Sequence, residues 1–155
     1  MFYSIKKGDV IIMAVTPFED RKAVIDIIAA DPYILSLGFT RSMIYNTAYT
    51  NDKLEADSKQ IFVYNQQSSD GYHSIYISPT IQIDISVPLN EASKAVKAAG
   101  QIIALLQDKE INSHTPLELV SPSPVNLPCQ FGYECIGLRF RYNATKFNTV
   151  KTIMS

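Results

Sequence analysis

The strictest pattern in the chain runs from Ile81 to Val87, where Ile81, Ile83, Ile85 and Val87 alternate with Gln82, Asp84 and Ser86. A period of two sends the two sets to opposite faces, so the stretch predicts an antiparallel strand with one face in a core. Pro79 precedes it and Pro88 closes it. A looser alternation from Tyr72 onward, with His73, Ile75 and Ile77 set against Ser74, Tyr76 and Ser78, leads into it. A second long strand begins near Phe131, with Ile136, Leu138, Phe140 and Tyr142 on one face and Cys135, Gly137, Arg139 and Arg141 on the other. The β-rich run Ile61-Phe62-Val63-Tyr64 and the segment Phe39 to Tyr45 predict further strands. Leu117, Leu119 and Val125 predict a short edge strand, because Pro116, Pro122, Pro124 and Pro128 confine the segment to an edge.

Helical spacing appears twice. Thr16-Pro17-Phe18-Glu19 fits a capping box, followed by Val24, Ile27 and Ile28, and Pro32 should stop the helix near Asp31. Ile34, Leu35 and Leu37 follow in a short turn that Gly38 ends. Between Glu91 and Gln107, Ala92, Ala95, Val96, Ala99, Ile102, Ile103 and Leu106 form one apolar face, with Asn90 as the expected N-cap. Its small alanines would let the helix approach a sheet closely. The order predicts an α+β fold: a single antiparallel or mixed sheet of about four to five strands, with two main helices packed on one face. The whole chain, 1–155, reads as a single domain, with 144–155 as a flexible tail. Residues 46–58 read as a long loop or arm, and 66–71 as a turn.

Composition narrows the function. The longest early apolar run, Val10 to Val15, is too short for a signal core or a membrane span, which predicts synthesis in a cytoplasm and no membrane partner. A formal net charge of −1 argues against nucleic-acid binding as the main task, since phosphate binding draws on basic excess. Cys129 and Cys135 fit no zinc or redox spacing and read as reduced thiols. On one strand they would stand about 20 Å apart at ~3.3 Å per residue, too far to bridge. The chain has no phosphate loop, no H-E-x-x-H and no G-x-S-x-G, and His73 and His114 read as ordinary surface or turn residues. The expectation is a protein that is not an enzyme and uses no cofactor or metal.

Two constellations remain. Asp84, Arg139 and Arg141 lie on the polar sides of their strands, where neighbouring strands could form a cross-strand ion pair on a solvated face, an interface or a channel wall. Tyr72, Tyr76, Tyr133 and Tyr142 form a tyrosine-rich group of the kind found both in sheets and at interfaces.

The run Pro79-Thr80-Ile81-Gln82-Ile83-Asp84-Ile85-Ser86-Val87-Pro88, the alanine-rich helix after it and the closing Gly137-Leu138-Arg139-Phe140-Arg141-Tyr142 resemble the tail-terminator (tail-completion) proteins of long-tailed bacteriophages. The leucine-rich end of the first helix, Arg21 to Gly38, is similar too, while 46–58 and 112–128 are longer than the family pattern. The resemblance implies a structural virion protein that forms a ring, typically six-fold, on the tail tube. That ring would end tail polymerisation and offer the surface to which the head docks. Its partners would be further copies of itself, the tail-tube protein and a head–tail connector, with DNA only passing through the lumen. The setting would be the host cytoplasm during assembly, then the virion. Asp84, Arg139 and Arg141 would lie at a subunit interface or lumen wall. Tyr49, Lys53 and Glu55 in the arm, and Asp70 and Tyr72 at the turn, would meet tube or head. Two alternatives stand beside it: another neck or stopper protein, and a small-ligand-binding regulatory domain.

Overall fold

In the computed structural model, residues 2–7, 10–15, 17–48, 58–66, 76–77, 79–112, 114–145 and 151–154 are described. The fold is α+β: a mixed sheet under helices on one face. The main sheet has strands β3 (Ile44–Tyr45), β4 (Gln60–Gln66), β6 (Thr80–Pro88), β9 (Tyr133–Arg141) and β7 (Glu118–Leu119) in that spatial order, with β8 (Val125–Leu127) also pairing β9. The alternating strand, β6, lies at its centre, antiparallel to β4 on one side and β9 on the other. The register sets Ile83 opposite both Val63 and Leu138, so the apolar stripes of three strands coincide on one face.

That face is roofed by α1 (Pro17–Ala30), α2 (Pro32–Ser36) and α3 (Ala92–Leu106). Val24, Ile28, Ile34, Ala95, Ala98, Ile102 and Leu106 are buried with Ile81, Ile83, Ile85 and Phe140 in one core. Each such isoleucine or leucine contributes roughly 1.5–3 kcal/mol when it leaves water, so the stripe on β6 alone outweighs any surface pair in the molecule. Asp31 positions α2: its carboxylate accepts the Ile34 N–H at 3.0 Å, and Pro32 occupies the first turn, where a missing N–H costs nothing. The Gln101 amide donates to the same carboxylate at 3.1 and 3.2 Å, which ties α3 to that cap. Gly38 then takes φ +96°, a backbone conformation that side-chain-bearing residues rarely adopt.

Several expectations change. The segment from Phe39 to Tyr45 is not a full strand: one turn of 3-10 helix, Arg41–Met43, interrupts it, with the Thr40 and Ser42 hydroxyls 3.0 Å apart. Only Ile44–Tyr45 reaches the sheet, and it runs parallel to β4, which makes the sheet mixed. Asn90 is not a cap, because a 3-10 turn over Leu89–Glu91 precedes α3 and Glu91 instead binds Lys94 at 2.6 Å and Lys59 at 3.2 Å. Val96 falls outside the buried face of α3 and is exposed, with Ala98 in its place. The proline-rich connection supplies two edge strands rather than one, β7 and β8, both against β9. Thr16 lies outside the described residues.

The chain ends also depart from the expected tail. Strands β1 (Phe2–Lys7), β2 (Val10–Val15) and β11 (Lys151–Met154) form a separate three-stranded antiparallel sheet in the order β1-β2-β11. The early apolar run is thus the central strand of a small sheet, and the C-terminal segment completes its ladder. β10 (Ala144–Thr145) pairs β5 (Tyr76–Ile77), a further departure from a loose terminus. Among the described residues, no helix is long and apolar enough to cross a membrane.

Candidate functional site

The face of the main sheet opposite the helices carries the polar residues of the same strands. Strand alternation places Gln60, Phe62 and Tyr64 of β4, Gln82, Asp84 and Ser86 of β6, and Cys135, Gly137 and Arg139 of β9 in three cross-strand rows. One row is Tyr64, Gln82 and Arg139; the next is Phe62, Asp84 and Gly137; the third is Gln60, Ser86 and Cys135.

Asp84 and Arg139 are connected through Gln82. The Gln82 amide donates from Nε2 to Asp84 Oδ1 at 2.8 Å, and its Oε1 accepts from Arg139 Nε at 3.1 Å. The charge at each end sets the amide's orientation, nitrogen toward the carboxylate and oxygen toward the guanidinium. The Tyr64 hydroxyl donates to the other carboxylate oxygen at 2.6 Å. Burial, and then this bond to an anion, push the Tyr64 phenol well above its ordinary range, so it stays a donor at any physiological pH. The expected direct ion pair is therefore replaced by a bridged one, because the register places Arg139 opposite Gln82 and not opposite Asp84.

Gly137 makes room for that bridge. It pairs with Asp84, and a Cβ built on it would stand 2.8 Å from Gln82 Nε2 and 2.7 Å from Leu127 Cδ1. Arg141 does not join the bridge. It lies opposite Thr80, is exposed, and reaches Glu118 Oε2 of β7 at 3.6 Å. Tyr49, Lys53, Glu55, Asp70 and Tyr72 lie outside the described residues.

One end of this face encloses a cavity of about 130 Å³ lined by Phe62, Asp84, Ser86, Leu127, Cys129 and Cys135, among others. Phe62 is buried under Tyr45, their rings stacked with centroids 5.5 Å apart. The cysteines do not share a strand: Cys135 is in β9, and Cys129 follows β8 on the returning limb of the hairpin. The separation expected from a single strand does not apply, and both thiols face the same cavity.

A second polar cluster was not legible in the sequence. Asp20 of α1 is buried, with Oδ1 accepting from Asn112 Nδ2 at 2.7 Å and lying 3.1 Å from His114 Nε2, while Oδ2 accepts from the Tyr142 hydroxyl at 2.5 Å. An ionised carboxylate only accepts, so His114 carries its proton on Nε2. Burial works against the Asp20 charge, but the bonds from His114, Asn112 and Tyr142 outweigh it and hold the carboxyl below its ordinary value. Burial and the Asp20 charge drive the Tyr142 phenol far upward. His114 is thus a buried residue rather than a surface one, and Tyr142 belongs to the interior rather than to an interface. With side-chain exposures of 1% for His114 and 5% for Asp20, the pair is closed to substrate and acts as a clamp joining α1 to Asn112, His114 and the residue that follows β9. His73 lies outside the described residues, as does Tyr72, and the Tyr133 ring is half-buried.

Among the described residues, no group of three or more His, Cys, Asp or Glu side chains is placed to hold a metal ion. Neither a scan against protein-family models nor a search of curated proteins returns a match to this chain.

Proposed function

We propose that this protein is a tail terminator of a long-tailed bacteriophage, a structural subunit that closes into a ring on the finished tail tube and receives the head. The observation that carries the reading is the central place of β6. Its apolar stripe faces the alanine-lined α3, and its polar stripe carries Asp84 and Gln82 toward Arg139 on the neighbouring strand. This is the strand–helix–strand pattern on which the family resemblance rests.

A ring of identical subunits needs a heterologous contact, in which two different surfaces of one protomer meet and the rotation between them closes. The polar face and the exposed Arg141–Glu118 edge of β9 and β7 supply charged, directional groups suited to one such surface. A neck or stopper protein would use the same features, and the two readings differ in whether the ring binds tube or connector. The cavity beside Phe62 favours a third reading, a small-ligand module.

The test is negative-stain imaging of the purified protein, alone and mixed with tail tubes. Rings seated at tube ends support the terminator. Rings that bind only a connector indicate the neck protein. A monodisperse monomer beside unadorned tubes removes both.

A further inference from the structure

Cys129 and Cys135 do not lie on one strand, so the separation a single strand would impose does not hold them apart. In the β8–β9 hairpin, Leu127 is the register partner of Cys135. Cys129 lies two residues beyond Leu127, where the chain turns back toward Tyr133, and its thiol donates to the Tyr133 carbonyl at 3.1 Å. Leu127, Cys129 and Cys135 all line one cavity, so the three side chains share the polar face of the sheet. The two thiols therefore share one small cavity, and Cys129 stands near enough to perturb the Cys135 thiol. Both are free, Cys129 exposed and Cys135 half-buried.

We propose that Cys129 and Cys135 form a dithiol that closes to an intramolecular disulfide by exchange with a low-molecular-weight disulfide, pinning the 125–130 limb over the sheet. Their environments divide the roles. Burial, and then the contact with Cys129, push the Cys135 thiol up to about 12, so it is a poor first nucleophile, whereas Cys129 is open to solvent. Cys129 thiolate attacks a sulfur of oxidised glutathione, forming a protein–glutathione mixed disulfide and releasing one glutathione thiolate. Cys135 then gives its proton to solvent and attacks the Cys129 sulfur, forming the Cys129–Cys135 bond and releasing the second glutathione. Two protein thiols are oxidised and one glutathione disulfide is reduced to two thiols. To close, Cys129 gives up its bond to the Tyr133 carbonyl, and as the exposed residue outside both strands it is the partner that moves, while Cys135 is held in β9. The disulfide lies beside Asp84 and Ser86, so closure also reshapes the cavity.

The test is to treat the dilute, folded full chain with oxidised glutathione, quench with acid, and measure intact mass, free thiols after denaturation, and the peptide map. The expected result is a monomer lighter by about two mass units, with no free thiol, a peptide joining Cys129 to Cys135, and reversal by dithiothreitol. Cys135→Ser should instead stop at a single glutathione adduct on Cys129, the trapped first intermediate. Three results would overturn the proposal: a stable adduct on Cys129 in the unaltered chain with Cys135 still free, dimers linked through Cys129, or no reaction at all.

Discussion

The Tyr142 hydroxyl donates a 2.5 Å hydrogen bond to the carboxylate of Asp20, a residue 122 positions earlier, and both side chains are buried. The bond joins the residue immediately after β9 to the first turn of α1, so it ties the two ends of the core together. Removing the hydroxyl leaves a buried charge with one donor fewer. Tyr142→Phe should cost roughly 1.5–3 kcal/mol, the range for a bond to a charged group, read as a lower midpoint in urea denaturation. An unchanged midpoint would show that the clamp does not hold the fold.

Acid should act through the same carboxylate. The folded-state pKa of Asp20 lies below its ordinary value of 3.8, so its contribution to stability is complete above that value and is lost as pH falls through the folded one. Denaturation midpoints measured from pH 7 down to pH 2 should therefore be flat in this contribution above about pH 5 and fall below about pH 4. Asp20→Asn should be less stable at pH 7 and should have a shallower acid limb. What slope remains includes Glu91, whose carboxyl is lowered by the Lys94 hydrogen bond, against some burial, and by Lys59.

Gly137→Ala tests the bridge on the other face. The added methyl would meet Gln82 Nε2 at 2.8 Å and Leu127 Cδ1 at 2.7 Å, so the amide or the β8 side chain must move. A loss of about 1–3 kcal/mol is expected, with the larger share when Gln82 can no longer span Asp84 and Arg139. Gly137→Ala in a Gln82→Ala background should cost less, which a double-mutant cycle measures directly.

Arg139→Glu combined with Arg141→Glu should leave a folded monomer and impair ring formation. Arg141 is exposed and its 3.6 Å contact with Glu118 is worth at most about 1 kcal/mol, whereas replacing Arg139 also breaks the Gln82 bridge, so the urea midpoint should fall while circular dichroism still reports a folded chain. Sedimentation should then show a smaller assembly than the unaltered protein forms. Rings of normal size from the double variant would remove Arg139 and Arg141 from the interface.

The parts of the fold that could be read from sequence are those with a short period. Ile81, Ile83, Ile85 and Val87 declare both strand and buried face, and the alanines at 95 and 99 with Ile102 and Leu106 declare α3. The strand face bearing Asp84 and Arg139 was legible for the same reason, but not the part played by Gln82 and Tyr64, since a bridging amide depends on the register between strands. The Asp20, Asn112, His114 and Tyr142 cluster has no local signature at all, because its members meet only after the sheet and α1 are packed. The nearness of Cys129 to Cys135 depends on the turn that separates β8 from β9, which their spacing does not reveal, and the ladder between β2 and β11 joins segments too far apart for any window to connect.

The proposed role is to end the growth of a tail tube. The most direct measurement is the length distribution of tubes polymerised from a long-tailed phage's tail-tube protein, with and without this protein. Tubes that stop growing and carry a ring at one end are predicted once the protein is added. Tubes that keep elongating at the same rate with bare ends would contradict it.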